Sequence, residues 1–156
     1  MPGPIYSLIY RSFARPPWIE GQVLNDISVE ANAFNSKHHI TGMLIFSDGV
    51  FVQVLEGSTV EVLSLSARIA ADPRNERLRV LWHGNVGERR FPEWSMGCFD
   101  FSDVPDRQAP LDPGVLDNEQ VEPVWTDTMT QRLIDFYREN RVEGLGPVFA
   151  QMRRLP

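Results

Sequence analysis

A glutamine inside an apolar strand is the first feature that could do chemistry. The run VFVQVLEG, at residues 50–57, places Gln53 among bulky apolar neighbours, and the alternation of a strand puts Phe51, Gln53 and Leu55 on one face. A buried glutamine needs partners for its oxygen and its NH2 group, since an unpaired buried polar group costs about 1 to 3 kcal/mol. Gln53 therefore predicts a polar partner or a ligand on that face.

Two other polar residues could meet this amide. Tyr10 ends the apolar run IYSLIY, and its phenol can donate a hydrogen bond to an amide or accept one from it. Asn35 offers a second amide late in a predicted helix. These residue types and spacings are compatible with a ligand site and also with three unrelated structural hydrogen bonds.

Common catalytic and metal-binding motifs are absent from the sequence, which has no GxSxG, no HExxH and no glycine-rich phosphate loop after a strand. His38 and His39 are adjacent, so their side chains point in different directions and do not predict a shared metal site. Cys98 lies in an apolar run, where a small buried thiol usually serves packing. The sequence predicts neither hydrolytic catalysis nor a metal centre.

The size and charge of the chain limit its class. Its 156 residues suit one domain with a tail, and 42% hydrophobic with 23% charged residues is typical of a globular protein. A formal net charge of −6 argues against general binding to nucleic acid or anionic membranes and favours a protein partner. With one cysteine, no signal-peptide pattern and no apolar run of roughly 20 residues, we expect a soluble cytoplasmic protein.

Periodicity predicts the elements that must position these side chains. Strands are predicted at residues 5–10, 78–83 and 94–101. Between residues 40 and 56, two apolar runs flank Asp48-Gly49, a pair that favours a tight hairpin turn. Two helices carry apolar stripes. The first, ending near residue 37, has Ile19, Val23, Ile27, Ala31 and Phe34, and the second, between the Ser58/Glu61 capping pattern and Asp72-Pro73, has Val62, Leu65 and Ile69.

The order βαββαββ predicts an α+β fold of the ferredoxin-like type, with one five-stranded mixed sheet and two helices on one face. We assign residues 1–101 to this domain and residues 102–156 to a linker and a C-terminal helical cap. A helix predicted at residues 126–140 has a stripe of Leu133, Phe136 and Tyr137. This stripe must bury against the free face of the sheet or against a neighbouring subunit.

An ordered set of motifs resembles the BLUF family of flavin photoreceptors. Each motif alone is weak, and the order along residues 10–96 is what makes the resemblance specific. The motifs are Tyr10-Arg11-Ser12, Asn35, Ile40-Thr41-Gly42, GVFVQVLEG at residues 49–57, the stretch from Arg68 to Asp72, Arg89-Arg90-Phe91, Trp94 and Met96.

The resemblance implies a flavin bound between the two helices, usually FAD, with FMN or riboflavin as alternatives. Tyr10 matches the family's electron donor to the photoexcited flavin, and Gln53 matches the glutamine that bridges this tyrosine to the flavin edge. In the family, light drives an electron and a proton from tyrosine through glutamine to flavin and back, and the amide is left rearranged. Asn35 matches an asparagine that bonds the pyrimidine side of the ring.

Other positions carry over less directly. Arg68 and Asp72 match polar contacts to the ring or the ribityl chain, although a spacing of four on a helix also produces a surface ion pair. Asn32, one turn before Asn35, could face the same site or solvent. Asn75 stands where family members often have a histidine.

Trp94 and Met96 match a tryptophan and a methionine that the family places near the glutamine. Because they are two apart in a predicted strand, both can face one side, while Trp94 could equally be core packing. The resemblance implies a photoreceptor, not an enzyme, because no effector domain follows. Such a photoreceptor is expected to signal through the tail, residues 102–156, to an unidentified partner protein or through a homo-oligomer. A flavin redox enzyme and a flavinless ferredoxin-like interaction domain remain as alternatives.

Overall fold

The computed structural model describes residues 3–16, 21–101, 125–140 and 153–154. The strands form one sheet in the order β4-β1-β3-β2-β5-β6. All neighbouring pairs are antiparallel except β2 with β5 and β5 with β6, so the sheet is mixed and the predicted ferredoxin-like fold is confirmed. The elements are β1 (Ile5–Ala14), α1 (Gly21–His38), β2 (Thr41–Ser47), β3 (Val50–Gly57), α2 (Thr59–Ala71), β4 (Asn75–Val86), β5 (Gly97–Asp100), α3 (Asp127–Asn140) and β6 (Arg153–Arg154).

The predicted hairpin joins β2 to β3. Ser47 pairs with Val50 across a two-residue turn. Asp48 and Gly49 have φ angles of 47° and 86°, as the tight hairpin turn requires. The pairing that follows sets Leu44 opposite Gln53, and β1 sets Tyr10 opposite Gln53 on the other side.

Both predicted helices pack their apolar stripes on one face of the sheet. On α1, Ile27, Ala31 and Phe34 contact this core, while Ile19 and the side chain of Val23 lie outside the described part of the chain. On α2, Val62 and Leu65 are buried. The Ser58 hydroxyl caps α2 by accepting a hydrogen bond from the Glu61 amide, as the capping pattern predicts.

The opposite face of the sheet is covered by α3. Leu133, Phe136 and Tyr137 pack there against inward side chains such as Val52 and Phe99. Phe136 meets the ring of Phe99 edge to face at 4.9 Å between ring centroids. Of the two alternatives for the stripe on α3, the chain therefore uses the free face of its own sheet.

The sheet differs from the prediction at its ends. β1 continues through Arg11 and Ser12 to Ala14, because both polar residues are buried and stay paired with β3. β5 begins only at Gly97. The two-residue β6 adds a sixth strand within the predicted cap, too short to show a periodic pattern. The predicted domain boundary after residue 101 stays a prediction, because residues 102–124, which follow it, lie outside the described part of the chain.

The buried carboxylate of Glu56 forms hydrogen bonds with the connection between β4 and β5. Glu56 Oε1 accepts hydrogen bonds from the Thr41 hydroxyl at 2.8 Å and the Phe91 amide at 2.7 Å, and Oε2 accepts from the Arg90 amide at 2.9 Å. Arg89 adds bonds to Thr41 Oγ1 and to the Glu56 carbonyl. Burial raises the pKa of Glu56 above its ordinary value, although these donors oppose the change.

No helix in the described ranges is long and apolar enough to cross a membrane.

Candidate functional site

A cleft lies between α1, α2 and the face of the sheet that they cover. It holds about 830 Å³ of space including its open mouth. One wall is apolar and includes Ile27, Phe34 and Leu65, and the sheet contributes Phe51 and Leu44. The predicted site residues Tyr10, Asn35, Gln53, Arg68 and Asp72 all line this cleft.

A chain of hydrogen bonds runs through the back of the cleft. The Tyr10 hydroxyl donates to Gln53 Oε1, and Gln53 Nε2 donates to Met96 Sδ at 3.2 Å. All three residues are buried, with at most 4% of their surface exposed. The amide that the sequence predicted to need partners therefore has one for each end.

Strand register explains why the phenol and the amide meet. Tyr10 on β1 is directly opposite Gln53 on β3, and opposite residues of an antiparallel pair share a face. Burial is the main cause that raises the pKa of Tyr10 well above its ordinary value, with Cys98 and Asp72 adding to it. The phenol consequently keeps its proton and acts as a donor.

Three buried polar atoms along the cleft have no hydrogen-bond partner within the described part of the chain. They are Asn35 Oδ1, Ser12 Oγ and Asn75 Oδ1, and all three residues line the cleft. Orphaned buried polar atoms on one cavity indicate a polar ligand. A flavin meets this requirement, because its ring edge offers both donors and acceptors and its fused rings suit the apolar wall.

The mouth of the cleft is charged. Asp72, the C-cap of α2, bonds to Arg74 and not to Arg68, so the predicted alternative of an Arg68–Asp72 ion pair is not seen. Arg74 also bonds to Glu30 of α1 at 2.7 Å and so joins the two helices. Hydrogen bonding from Arg74 lowers the pKa of Asp72. The Arg68 guanidinium lies over the ring of Phe34, 4.5 Å from its centroid.

Trp94 and Met96 do not share a side of the sheet, contrary to expectation. Met96 packs on the cleft side, whereas Trp94 belongs to the opposite face, where its ring is 4.7 Å from that of Tyr137. Alternation fails because both residues precede β5, whose first residue is Gly97. A Cβ on Gly97 would lie 2.4 Å from the Trp94 ring, so glycine is needed for this packing.

Sequence reasoning left one residue of the site open and did not identify two others. Asn32, left open between site and solvent, is buried and bonds to the Met96 carbonyl at 3.1 Å. Ser95 and Arg74 were not predicted, because their partners Asn32 and Glu30 are distant in sequence. No cluster of three or more potential metal ligands occurs among the residues that the structure describes.

Comparison with known proteins points to one family. A family model described as sensors of blue-light using FAD matches residues 5–97. Over 90 residues the chain is 36% identical to photoactivated adenylate cyclase subunit alpha of Euglena gracilis, a match that covers 57% of this chain and 9% of that protein. Over 94 residues it is 33% identical to the blue light- and temperature-regulated antirepressor BluF of Escherichia coli strain K12, covering 60% of this chain and 23% of that one.

A solved structure agrees with these relatives. The dark-state structure of BlrB, a BLUF protein, matches with a TM-score of 0.64 and 26% identity over 88% of this chain and 96% of that one. The chain spans about a tenth of the length of the cyclase subunit. Because the family model covers more than half of the chain, this protein belongs to the BLUF family, the sensors of blue light using FAD.

Proposed function

We propose that this chain is a blue-light photoreceptor that binds a flavin non-covalently in the cleft and switches through the hydrogen bonds of Tyr10, Gln53 and Met96. The observation that carries the proposal is the continuous chain from Tyr10 through both ends of the Gln53 amide to Met96, at the wall of a cleft with orphaned polar atoms. Membership of the family supports the same function.

The residues of the cleft would contact different parts of the flavin. Asn35 and Gln53 present amides to a polar ring edge, and Arg68 and Asp72 stand at the mouth. We propose FAD as the bound form, since the family model is described by FAD, with FMN or riboflavin as alternatives. A bound flavin would supply absorption of blue light and, when excited, oxidising power towards a phenol.

The neighbours of Gln53 give its amide one preferred orientation. A thioether accepts hydrogen bonds and cannot donate them, so Nε2 rather than Oε1 must face Met96 Sδ. The Tyr10 hydroxyl can donate or accept, so it tolerates either end of the amide. Rotation of the amide would thus keep a bond to Tyr10 and lose the bond to Met96, which favours return to the original orientation.

The output would leave through the segment that connects the cleft to the opposite face. Met96 contacts Gln53, while Trp94, two residues earlier, packs against Tyr137 of α3. A displaced Met96 can therefore alter the packing under α3. We propose that a partner protein or a second copy of the chain reads this change in the cytoplasm, and that neither nucleic acid nor a membrane is the target, given the net charge of −6.

The first test is the visible spectrum in darkness, under blue light and during recovery. We expect a yellow protein whose flavin bands shift to the red and return. Gln53→Leu should abolish the reversible shift, because leucine offers no hydrogen bond to Tyr10 or to the flavin. Tyr10→Phe should abolish it too, since the phenylalanine ring lacks the hydroxyl that bonds to Gln53.

Tyr6→Phe is the matched control. Tyr6 lies on the same face of β1 but bonds to His83 at 2.8 Å, away from the cleft, so this variant should respond as the wild type does. A colourless protein that cannot take up added flavin would refute the proposal and favour an interaction domain. A yellow protein that only bleaches would favour a redox enzyme. Chromatography of the released pigment should identify FAD.

A further inference from the structure

Two amides of α1 hold the backbone that leads into β5. Residues 95 and 96 precede the ladder between β2 and β5, which begins where Met43 pairs with Gly97. Asn35 Nδ2 donates to the Ser95 carbonyl at 2.9 Å, and Asn32 Nδ2 donates to the Met96 carbonyl at 3.1 Å. The carbonyls of residues 95 and 96 are therefore bound to α1, whereas the Trp94 carbonyl just before them accepts a hydrogen bond from Gly42 of β2 at 3.0 Å.

Of the two side-chain amides, Asn32 makes the larger number of hydrogen bonds. Its Nδ2 also donates to the Ser28 carbonyl, one turn earlier on α1, at 2.9 Å. Its Oδ1 accepts a hydrogen bond from the Ser95 hydroxyl. Asn32 is 5% exposed and Ser95 is 1% exposed, so water does not compete for these bonds. Both ends of the amide are thus used to join α1 to residues 95 and 96.

The position of this backbone decides where the Met96 sulfur lies. Met96 is fully buried, and its Sδ is 3.2 Å from Gln53 Nε2. Methionine is a flexible side chain, so its sulfur stays at a fixed point only if the backbone and the surrounding packing hold it. The Met96 carbonyl is held by Asn32, with the Cys98 thiol as a second, longer contact at 3.7 Å.

We propose that Asn32 is a positioning residue of the photoswitch, which together with Ser95 fastens the backbone of Met96 to α1 and so holds the Met96 sulfur against Gln53. This inference rests on the proposed function, because it assigns Asn32 a part in the same switch. Loss of the Asn32 side chain would remove its bonds to Ser95 and Met96 and leave the Tyr10–Gln53 hydrogen bond in place. The light-induced shift should persist, and recovery should slow because the partner that favours the original amide orientation is less well placed.

The test compares Asn32→Ala with Ser36→Ala in the flavin-loaded protein. Ser36 lies on the same helix and its hydroxyl bonds only within α1 among the contacts described, to the Asn32 carbonyl at 2.8 Å. We expect Asn32→Ala to keep the size of the red shift and to recover about 2- to 10-fold more slowly, the factor that one hydrogen bond represents. Ser36→Ala should recover at the wild-type rate.

Ser95→Ala gives a milder version of the same change, because it removes one hydroxyl and leaves the backbone. It should also slow recovery, and the double variant Asn32→Ala/Ser95→Ala should be no slower than Asn32→Ala alone, since the two residues act through one contact. Hydrogen exchange in darkness should be faster in residues 95–100 of Asn32→Ala and unchanged in β1 and β4.

The outcomes separate this inference from the proposed function. A wild-type protein that shifts and recovers, with Asn32→Ala and Ser95→Ala both recovering at its rate, would refute the positioning role alone. A flavin-loaded wild-type protein without any reversible shift would refute the proposed function and the positioning role together.

Discussion

At the residue scale, burial fixes the protonation of the groups around Gln53. One row of paired residues crosses strands β1, β3, β2 and β5 and consists of Tyr10, Gln53, Leu44 and Cys98. Burial raises the pKa of the Tyr10 phenol, and it raises the pKa of the Cys98 thiol to about 12. Both groups are therefore neutral at physiological pH. The Gln53 amide therefore has two neutral hydrogen-bond partners, the Tyr10 hydroxyl and the Met96 sulfur.

The raised pKa of Cys98 predicts how stability depends on pH. The thiol ionises near its ordinary value of 9.0 in the unfolded chain and at about 12 in the folded one. The unfolded state then releases its proton first, so the contribution of Cys98 to stability is complete below pH 9.0 and is lost as pH rises towards 12. The loss at pH 10 should be about 1.4 kcal/mol.

Cys98→Ala isolates this contribution, because all other titrating groups are common to both proteins. The free energy of unfolding, measured with urea at several pH values, should fall more steeply above pH 9.0 in the wild type than in the variant. Parallel pH profiles would show that the thiol ionises equally in both states.

At the element scale, Glu56 determines where the connection into β5 begins. Its carboxylate accepts three hydrogen bonds, two of them from consecutive backbone amides at Arg90 and Phe91. Asn32 and Asn35 hold the other end of the same connection. The short strand β5 has only four residues, so its position depends on these two attachments as well as on its own ladder.

Glu56→Gln should destabilise the protein by about 1 to 3 kcal/mol, because the NH2 group of glutamine must face an N–H donor and leave buried groups unpaired. Equilibrium unfolding in urea measures the change. Glu61→Gln is the control, since Glu61 bonds to His38 at the surface with 38% of its side chain exposed, and it should cost about 0 to 1 kcal/mol. Equal effects in the two variants would contradict a special role for Glu56.

At the scale of the whole molecule, the sheet separates the cleft from the face that α3 covers. The cleft lies on the face covered by α1 and α2, and α3 lies on the other face. The segment from Trp94 to Met96 touches both, because Trp94 contacts Tyr137 and Met96 contacts Gln53. A local change in hydrogen bonding therefore has a short route to α3.

Docking of α3 should contribute measurably to stability. Leu133 is 1% exposed, so Leu133→Ala should lower the free energy of unfolding by about 2 to 5 kcal/mol through lost burial and a cavity. Gln131→Ala, on the exposed side of the same helix, should change it by less than about 0.5 kcal/mol. Chemical denaturation followed by tryptophan fluorescence measures both. A small effect of Leu133→Ala would mean that α3 is not docked in solution.

Local sequence patterns predicted the helices, the β2–β3 hairpin and the faces of the central strands. Alternation around Gln53, the Asp48-Gly49 turn and the stripes on α1 and α2 are local patterns, each set by neighbours within a few residues. The partners of Tyr10 and Gln53 were also accessible, because a buried amide must be satisfied and the motif order identified the family. Local rules failed at Trp94 and Met96, since the strand on which alternation depends begins after them.

The face that receives α3, the bond from Arg74 to Glu30 and the bond from Asn32 to the Met96 backbone could be read only from the folded structure. The contacts across α3 and the bond from Asn32 to Met96 join residues far apart in sequence. Spacing along the chain does not encode such contacts, because they exist only after the sheet has fixed the positions of the helices that cover it.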